Sequence, residues 1–157
     1  MSTDFTVTIV RLDPIRVACV SGFGAGPEEI AFEKMRRLVE KTGLDQDGQA
    51  HRFFGFNNPS PTAASPNYGY DVWVTVDDSA QSEGEVRVFN FPGGLYAVAS
   101  IRPVTGEEIF PAWQSLVDWR EKSKYRPAAH QWLEEHIGDI SLGFPNITLD
   151  LYMPIAE

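Results

Sequence analysis

The segment 132–137, which reads Trp-Leu-Glu-Glu-His-Ile, contains the side chains with the clearest chemistry. Read as a strand, it places Trp132, Glu134 and His136 on one face, because successive side chains of a strand point to opposite faces. A carboxylate between two rings suits an aromatic cation, since each ring adds about 0.5–2 kcal/mol of cation–π attraction. Read as an amphipathic helical turn, the same segment leaves its two glutamates in solvent. These residues alone leave both interpretations open.

Two further aromatic side chains lie at matching places on two strands. The last strand alternates apolar residues with Asp150 and Tyr152, so we expect its apolar face to pack against helices and Tyr152 to lie on the other face. The strand at 69–77 alternates in the same way and places Trp73 where the last strand has Tyr152. If two such sheets met across a pseudo-twofold axis, both rings would line a shared cleft. The alternative is that each ring covers a sheet edge or fills the interface between the halves.

Other motifs give little support to catalysis or metal binding. His130 and His136, taken with the neighbouring glutamates, match no standard spacing of metal ligands, so we expect neither a metal nor a cofactor. The single cysteine, Cys19, lies in an apolar strand and is interpreted as a packing residue rather than a nucleophile. The sequence contains no GxSxG motif, and the glycine-rich stretch 22–27 is neither a dinucleotide-binding nor a P-loop motif.

Length and charge limit the class of protein. A chain of 157 residues is expected to form a single domain. Its 13 basic and 22 acidic residues give a net charge of -9, which argues against direct binding to nucleic acid or to an anionic membrane. The N-terminus lacks the features of a signal peptide, and no apolar run reaches the roughly 20 residues of a membrane span. A cytoplasmic protein is therefore expected.

The sequence contains two similar copies of one pattern, at about 5–77 and 85–155, joined by a polar linker at 78–84. The segment 70–76 matches the segment 149–155, and Val17–Val20 matches Val98–Ile101 at a sequence offset that is larger by two positions. Several matching blocks in the same order indicate a duplication.

Each copy reads as two strands, a helix and two strands. In the first helix Pro27 suits the first turn and Gly43 the end, and Asp13-Pro14 makes the turn between the first two strands. We expect an α+β fold in which duplicated β-β-α-β-β units pack about a pseudo-twofold axis, with an antiparallel sheet, two helices on one side and a ligand cleft on the other. The expected elements are strands at 5–11, 15–21, 51–58, 69–77, 85–91, 95–102, 130–138 and 147–155, with helices from 27 to 43 and from 106 to about 121.

Together these patterns resemble the GyrI-like small-molecule-binding domain, the effector-binding module of AraC-type and MerR-type multidrug regulators. The resemblance rests on the helix starts Gly-Pro-Glu-Glu-Ile and Gly-Glu-Glu-Ile, on the segment 92–98 and on the ending at 149–155, and it runs from about Phe5 to Ile155. It implies a cleft that binds drug-like compounds, often aromatic cations. Since the strands fill the chain, we expect a stand-alone module without its own helix-turn-helix domain.

The resemblance also implies a ligand-contacting glutamate. In the family it lies in a Phe-Glu-x-Tyr strand segment, which falls here on 133–136, so that the glutamate is Glu134. This chain has His136 where the family has tyrosine, which suggests that ligand binding is sensitive to pH.

Three functions follow from these residues and from the resemblance. The first is a binding protein for hydrophobic or cationic aromatic molecules, with Glu134 as the charge partner and ring walls formed by Trp73, Trp132, Tyr152 and Phe56. The second function, implied by the resemblance to some stand-alone relatives, is hydrolysis of strained-ring natural products. In this reaction the same glutamate is the general acid or base. The third is a protein partner of DNA gyrase, as some stand-alone relatives are gyrase inhibitors.

Overall fold

The computed structural model describes residues 6–48, 50–60, 62–102, 106–138 and 148–157. The chain forms two compact units. The middle unit is Ile15–Phe91, and the terminal unit combines the chain up to Pro14 with Pro92–Glu157.

The elements follow the sequence-based prediction closely. In chain order they are β1 (Thr8–Leu12), β2 (Ile15–Gly24), α1 (Pro27–Thr42), β3 (Phe53–Asn57), β4 (Tyr68–Thr75), β5 (Arg87–Phe91), β6 (Gly94–Ile101), a short 3-10 turn (Gly106–Glu108), α2 (Ile109–Glu121), β7 (Arg126–Pro127), β8 (Leu133–Ile137) and β9 (Thr148–Ala156). The strands pair in antiparallel fashion, which confirms the α+β class. Among these elements, the two-residue strand β7 was not anticipated. No described helix is both long and apolar enough to cross a membrane.

Each unit contains four main strands and one helix. In the middle unit the strand order is β3-β4-β2-β5, and in the terminal unit it is β8-β9-β6-β1, with β7 pairing one end of β9. The strands on either side of the Asp13-Pro14 turn therefore belong to different units, because β1 pairs with β6 whereas β2 pairs with β4 and β5.

The two units have the same strand register. Ser21 pairs with Asp71 in the middle unit, and Ser100 pairs with Asp150 in the terminal unit, so one sequence offset relates both members of the pair. The edge pairs Ile15–Phe91 and Gly94–Leu12 are related by the same number of positions, which is added to Ile15 and subtracted from Phe91. The match of Val17–Val20 with Val98–Ile101 is displaced from this register by two positions. The equal registers favour a duplication, which stays a prediction, as does the pseudo-twofold packing.

One face of each sheet packs against the helix of its own unit. In the terminal unit the core between the sheet and α2 contains the predicted apolar face of the last strand, with Leu149, Leu151 and Met153 fully buried beside Leu116. In the middle unit α1 begins with Pro27 and ends at Thr42, and the φ of 73° at the cap residue Gly43 is the left-handed conformation that glycine readily adopts. The opposite face of each sheet, away from its helix, carries aromatic and acidic residues.

Candidate functional site

The register of β8 against β9 decides which glutamate lies beside Tyr152. Leu133 is directly opposite Tyr152 and Glu135 is opposite Asp150, whereas Glu134 is opposite Leu151. Side chains of directly paired residues share a face. The prediction that Glu134 lies on the face of Tyr152 is therefore wrong, and Glu135 takes that place. The prediction failed because alternation orders the side chains within a strand but does not fix how the next strand is aligned with it.

Glu135 lies among aromatic side chains on the face of the terminal unit that is opposite α2. The glutamate is 6% exposed, and the Tyr152 hydroxyl donates a hydrogen bond of 2.8 Å to its Oε1. The Tyr152 ring meets the Tyr96 ring edge to face at 5.4 Å, and Tyr96 meets the His130 ring at 4.8 Å. The Tyr96 hydroxyl donates to the carbonyl oxygen of Gln131 at 2.5 Å. Burial raises the pKa of Tyr96 above its usual range, so this phenol stays protonated.

Trp132 and Glu134 lie together, as predicted, but on the side of α2. The Trp113 indole N–H donates to Glu134 Oε2 at 3.2 Å, and the rings of Trp113 and Trp132 are 5.4 Å apart. Trp132 is 38% exposed. This carboxylate is thus engaged by a tryptophan of the helix, and Tyr152 lies on the opposite face of the sheet.

His136 is buried on the face that packs against α2, opposite Leu149. Burial lowers the pKa of its imidazole to about 4, although the nearby Glu135 carboxylate acts in the opposite direction. The ring is therefore neutral at pH 7, and the pH sensitivity expected from this histidine falls below the neutral range.

Trp73 and Phe56 lie together on the face of the middle unit that is opposite α1. Trp73 is 4% exposed, and its ring centroid is 5.1 Å from that of Phe56, 5.4 Å from Phe89 and 5.0 Å from Phe91. The first two rings were predicted from the sequence, and the two on β5 were missed. The alternation of Phe89 and Phe91 in a predicted strand was the signal that could have found them. By register, Phe56 in the middle unit occupies the position that Glu135 occupies in the terminal unit.

A buried carboxylate, Asp71, lies on the same face as Trp73 and was also missed. It is 3% exposed, and it accepts hydrogen bonds from Ser21 Oγ at 2.6 Å and from Asn58 Nδ2 at 3.0 Å. The guanidinium of Arg87 lies 3.6 Å from its Oδ2. Burial, together with the Asp71 charge, raises the pKa of Cys19 to about 11. This protonated thiol agrees with the packing role predicted for Cys19.

A separate groove of about 390 Å³ lies on the α1 side of the middle unit, between this helix and residues 81–86. Four of the charged side chains that line it pair with one another, Lys41 with Glu83 at 3.3 Å and Lys34 with Glu85 at 3.5 Å. No aromatic side chain is among the described residues that line it, so it lacks the chemistry of the two aromatic faces. Within the described part of the chain, no three His, Cys, Asp or Glu side chains are placed to hold a metal ion.

Comparison with known proteins gives one family and several similar folds. The family model Cass2, described as integron-associated effector binding protein, matches residues 8–155. No curated protein matches the chain. The crystal structure of the EcmrR C-terminal domain matches with a TM-score of 0.73 and 12% identity, covering 99% of each chain. Our chain spans 58% of the EcmrR chain solved in a complex with DNA.

Two other solved structures are similar along nearly their whole length. SAV2435 bound to tetraphenylphosphonium matches with a TM-score of 0.57 and 11% identity, covering 98% of this chain and 94% of that one. A hydrolase from Listeria innocua matches with a TM-score of 0.69 and 11% identity, covering 96% and 91%. At these identities the likeness is one of fold.

Proposed function

Because the chain belongs to the family of integron-associated effector binding proteins, we propose that its effector is a hydrophobic aromatic cation and that Glu135 is the charge partner. The observation that carries this proposal is the buried carboxylate of Glu135, bonded to Tyr152 on the sheet face opposite α2. The proposed charge partner is thus the residue after Glu134, the glutamate that the family pattern indicates.

The surroundings of Glu135 favour a large, weakly hydrated cation over a small inorganic one. A buried carboxylate has already lost most of its water. A large cation with an apolar surface is weakly hydrated, so it loses little hydration free energy when it pairs with that carboxylate. The Tyr152 ring, whose hydroxyl is bonded to this carboxylate, meets the buried Tyr96 ring edge to face, and an aromatic ring attracts a cation by about 0.5–2 kcal/mol. The hydrogen bond from Tyr152 fixes the carboxylate in one orientation.

The similar fold of SAV2435, which was solved with tetraphenylphosphonium, supports this ligand class. Trp73 and Phe56 stay predicted as ligand contacts, since they form an aromatic surface in the middle unit. Glu134, Trp132 and His136 are not part of this proposal, because they lie on the side of α2.

Titration calorimetry with tetraphenylphosphonium and with neutral triphenylphosphine oxide tests the proposal. We expect the wild-type protein to prefer the cation. Glu135→Gln should weaken cation binding by about 1–3 kcal/mol, or roughly 5- to 150-fold, while leaving the neutral compound nearly unaffected. The amide of glutamine still accepts the Tyr152 hydrogen bond, so the variant removes charge and little else. Equal loss of both compounds would contradict a role for the charge.

Hydrolysis of a strained-ring compound is the second candidate, and the pairing of Tyr152 with Glu135 favours it. The family tyrosine is absent at position 136, but this pairing brings a phenol to the carboxylate from the neighbouring strand. A carboxylate held by a phenol can accept a proton from an attacking water. Incubation with such compounds, followed by mass spectrometry for the addition of one water, tests this function. Turnover should disappear in Glu135→Gln while binding of the neutral product survives.

The partnership with DNA gyrase stays a prediction from the family resemblance and the acidic charge. Copurification of gyrase with the tagged protein, compared with a ligand-saturated sample, is the test for it.

A further inference from the structure

Asp71 in the middle unit is a buried carboxylate whose cationic neighbour lies largely in water. Asp71 is 3% exposed, whereas the Arg87 side chain is 59% exposed. The shortest distance between the two charges, from Arg87 Nη2 to Asp71 Oδ2, is 3.6 Å. The same guanidinium nitrogen is 3.2 Å from Cys19 Sγ and 3.5 Å from Ser21 Oγ. The arginine therefore covers the carboxylate without closing a tight hydrogen-bonded pair.

Aromatic rings lie on the same face as this carboxylate. Phe56 is directly opposite Asp71 in the register of β3 and β4, and Trp73 follows two residues later on the same face. Phe89 lies two residues from Arg87 on β5 and contacts the Trp73 ring. A carboxylate beside rings is the combination that accepts an aromatic cation, and here it lies entirely within one unit.

The terminal unit contains the same carboxylate without the arginine. Asp150 pairs with Ser100 as Asp71 pairs with Ser21, and the serine hydroxyl donates to the aspartate in both units. At the place of Arg87, which pairs with Cys19, the terminal unit has Thr8, which pairs with Val98. The sheet therefore forms this register without an arginine, so Arg87 is not required by the strand architecture.

We propose that Asp71, Trp73 and Phe56 form a second subsite for an aromatic cation, and that Arg87 occupies this subsite while the ligand is absent. This proposal rests on the proposed function, from which it takes the class of ligand. It adds a second site at which Arg87 competes with the ligand. On binding, the ligand cation takes the place of the guanidinium, which moves into solvent. Asp71 remains paired with one cation in both states.

The exchange is favourable because the displaced pair is a weak one. An ion pair whose arginine lies mostly in water contributes little, since water screens the guanidinium and the long side chain loses freedom when it is held. A cation with aromatic substituents gains apolar contact that the guanidinium cannot supply. Removal of the arginine side chain should therefore strengthen binding of the cation, the opposite of what is expected for a residue that contacts the ligand favourably.

Arg87→Met is the variant that tests this inference, and Arg37→Met is its matched control. Arg37 lies on α1, on the other side of the sheet, with its side chain 76% exposed, so the control makes the same change in net charge. Titration calorimetry with tetraphenylphosphonium should give a dissociation constant about threefold or more lower for Arg87→Met than for Arg37→Met. Triphenylphosphine oxide should bind both variants equally.

Asp71→Asn completes the test, alone and combined with Arg87→Met. Alone it should weaken binding of the phosphonium, and in the double variant it should cancel the gain. The inference is overturned if Arg87→Met binds the phosphonium no tighter than Arg37→Met, or if the gain persists without the Asp71 charge. Arg87→Lys keeps a cation at this position and should bind the phosphonium like the wild type. It provides a second test if the methionine variant fails to fold.

The same titrations distinguish this inference from the proposed function. If the wild type binds the cation in a Glu135-dependent way and Arg87→Met brings no gain, only the second subsite is rejected. If no protein binds the phosphonium, including Arg87→Met, both are rejected. Binding that depends on Asp71 and Arg87 but is insensitive to Glu135→Gln would retain the second subsite and reject the first.

Discussion

The stability of the protein should depend on pH through the buried histidine on β8. His136 is 5% exposed, and burial lowers the pKa of its imidazole to about 4. In the unfolded chain the same group has a pKa of about 6.5. Between these values the unfolded chain binds a proton that the folded protein does not bind, so stability is complete above about pH 6.5 and declines as the pH falls towards 4.

The magnitude follows from the width of this window. Each pH unit changes the free energy of unfolding by about 1.4 kcal/mol while the two states differ by one proton. Across about 2.5 pH units the total is about 3 kcal/mol, a substantial part of the roughly 5–15 kcal/mol that stabilises a typical domain.

Urea unfolding of the wild type and of His136→Phe, followed by circular dichroism at several pH values between about 7 and 4.5, measures this contribution. Phenylalanine keeps a ring of similar shape in a site beside Leu149 and cannot be protonated. All other titrating groups are shared, so the difference between the two proteins isolates His136. The wild type should lose stability relative to the variant by more than about 1 kcal/mol per pH unit below about pH 6. A difference that stays constant with pH would refute the assignment of a neutral, buried imidazole.

Three further predictions concern single contacts. Tyr152→Phe leaves the buried Glu135 without the phenol that donates to it at 2.8 Å, and it should lower the free energy of unfolding by about 1–3 kcal/mol in chemical denaturation; an unchanged value would contradict this hydrogen bond. Gly22→Ala should destabilise the protein strongly in the same assay, because a Cβ there would clash with the Pro27 carbonyl oxygen; stability equal to wild type would contradict the close approach of α1 to β2. Cys19, with a pKa of about 11, should react with iodoacetamide at pH 8 roughly 100-fold or more slowly than in urea-unfolded protein, because only the thiolate reacts; equal rates would place the thiol in solvent.

Much of the fold was predictable because it depends on short-range patterns. Alternation of apolar and polar residues located the strands, and it also gave the correct faces for Trp73 and Tyr152 within their own strands. The start of α1 at Pro27 and its termination by the cap residue Gly43 follow from backbone preferences of single residues. Such features are encoded locally and do not depend on how the rest of the chain folds.

The relation between strands was the part that sequence could not supply. A shift of one residue in the register of β8 would put Glu134 instead of Glu135 beside Tyr152. Because residues 134 and 135 are both glutamate, the alternation of apolar and polar residues does not show which of the two lies beside Tyr152. The pairing of Asp71 with Arg87 is of the same kind, since it joins β4 and β5 across the intervening β2 and connects residues that no local pattern relates.

The central claim is tested most directly by comparing two neighbouring glutamates in one binding experiment. Glu134→Gln and Glu135→Gln make the same change in charge at adjacent positions, one bonded to Trp113 and the other to Tyr152. Titration with tetraphenylphosphonium should show affinity within about twofold of wild type for Glu134→Gln and a loss of about 5- to 150-fold for Glu135→Gln. The reverse result, with the loss confined to Glu134→Gln, would contradict the assignment and place the ligand on the side of α2.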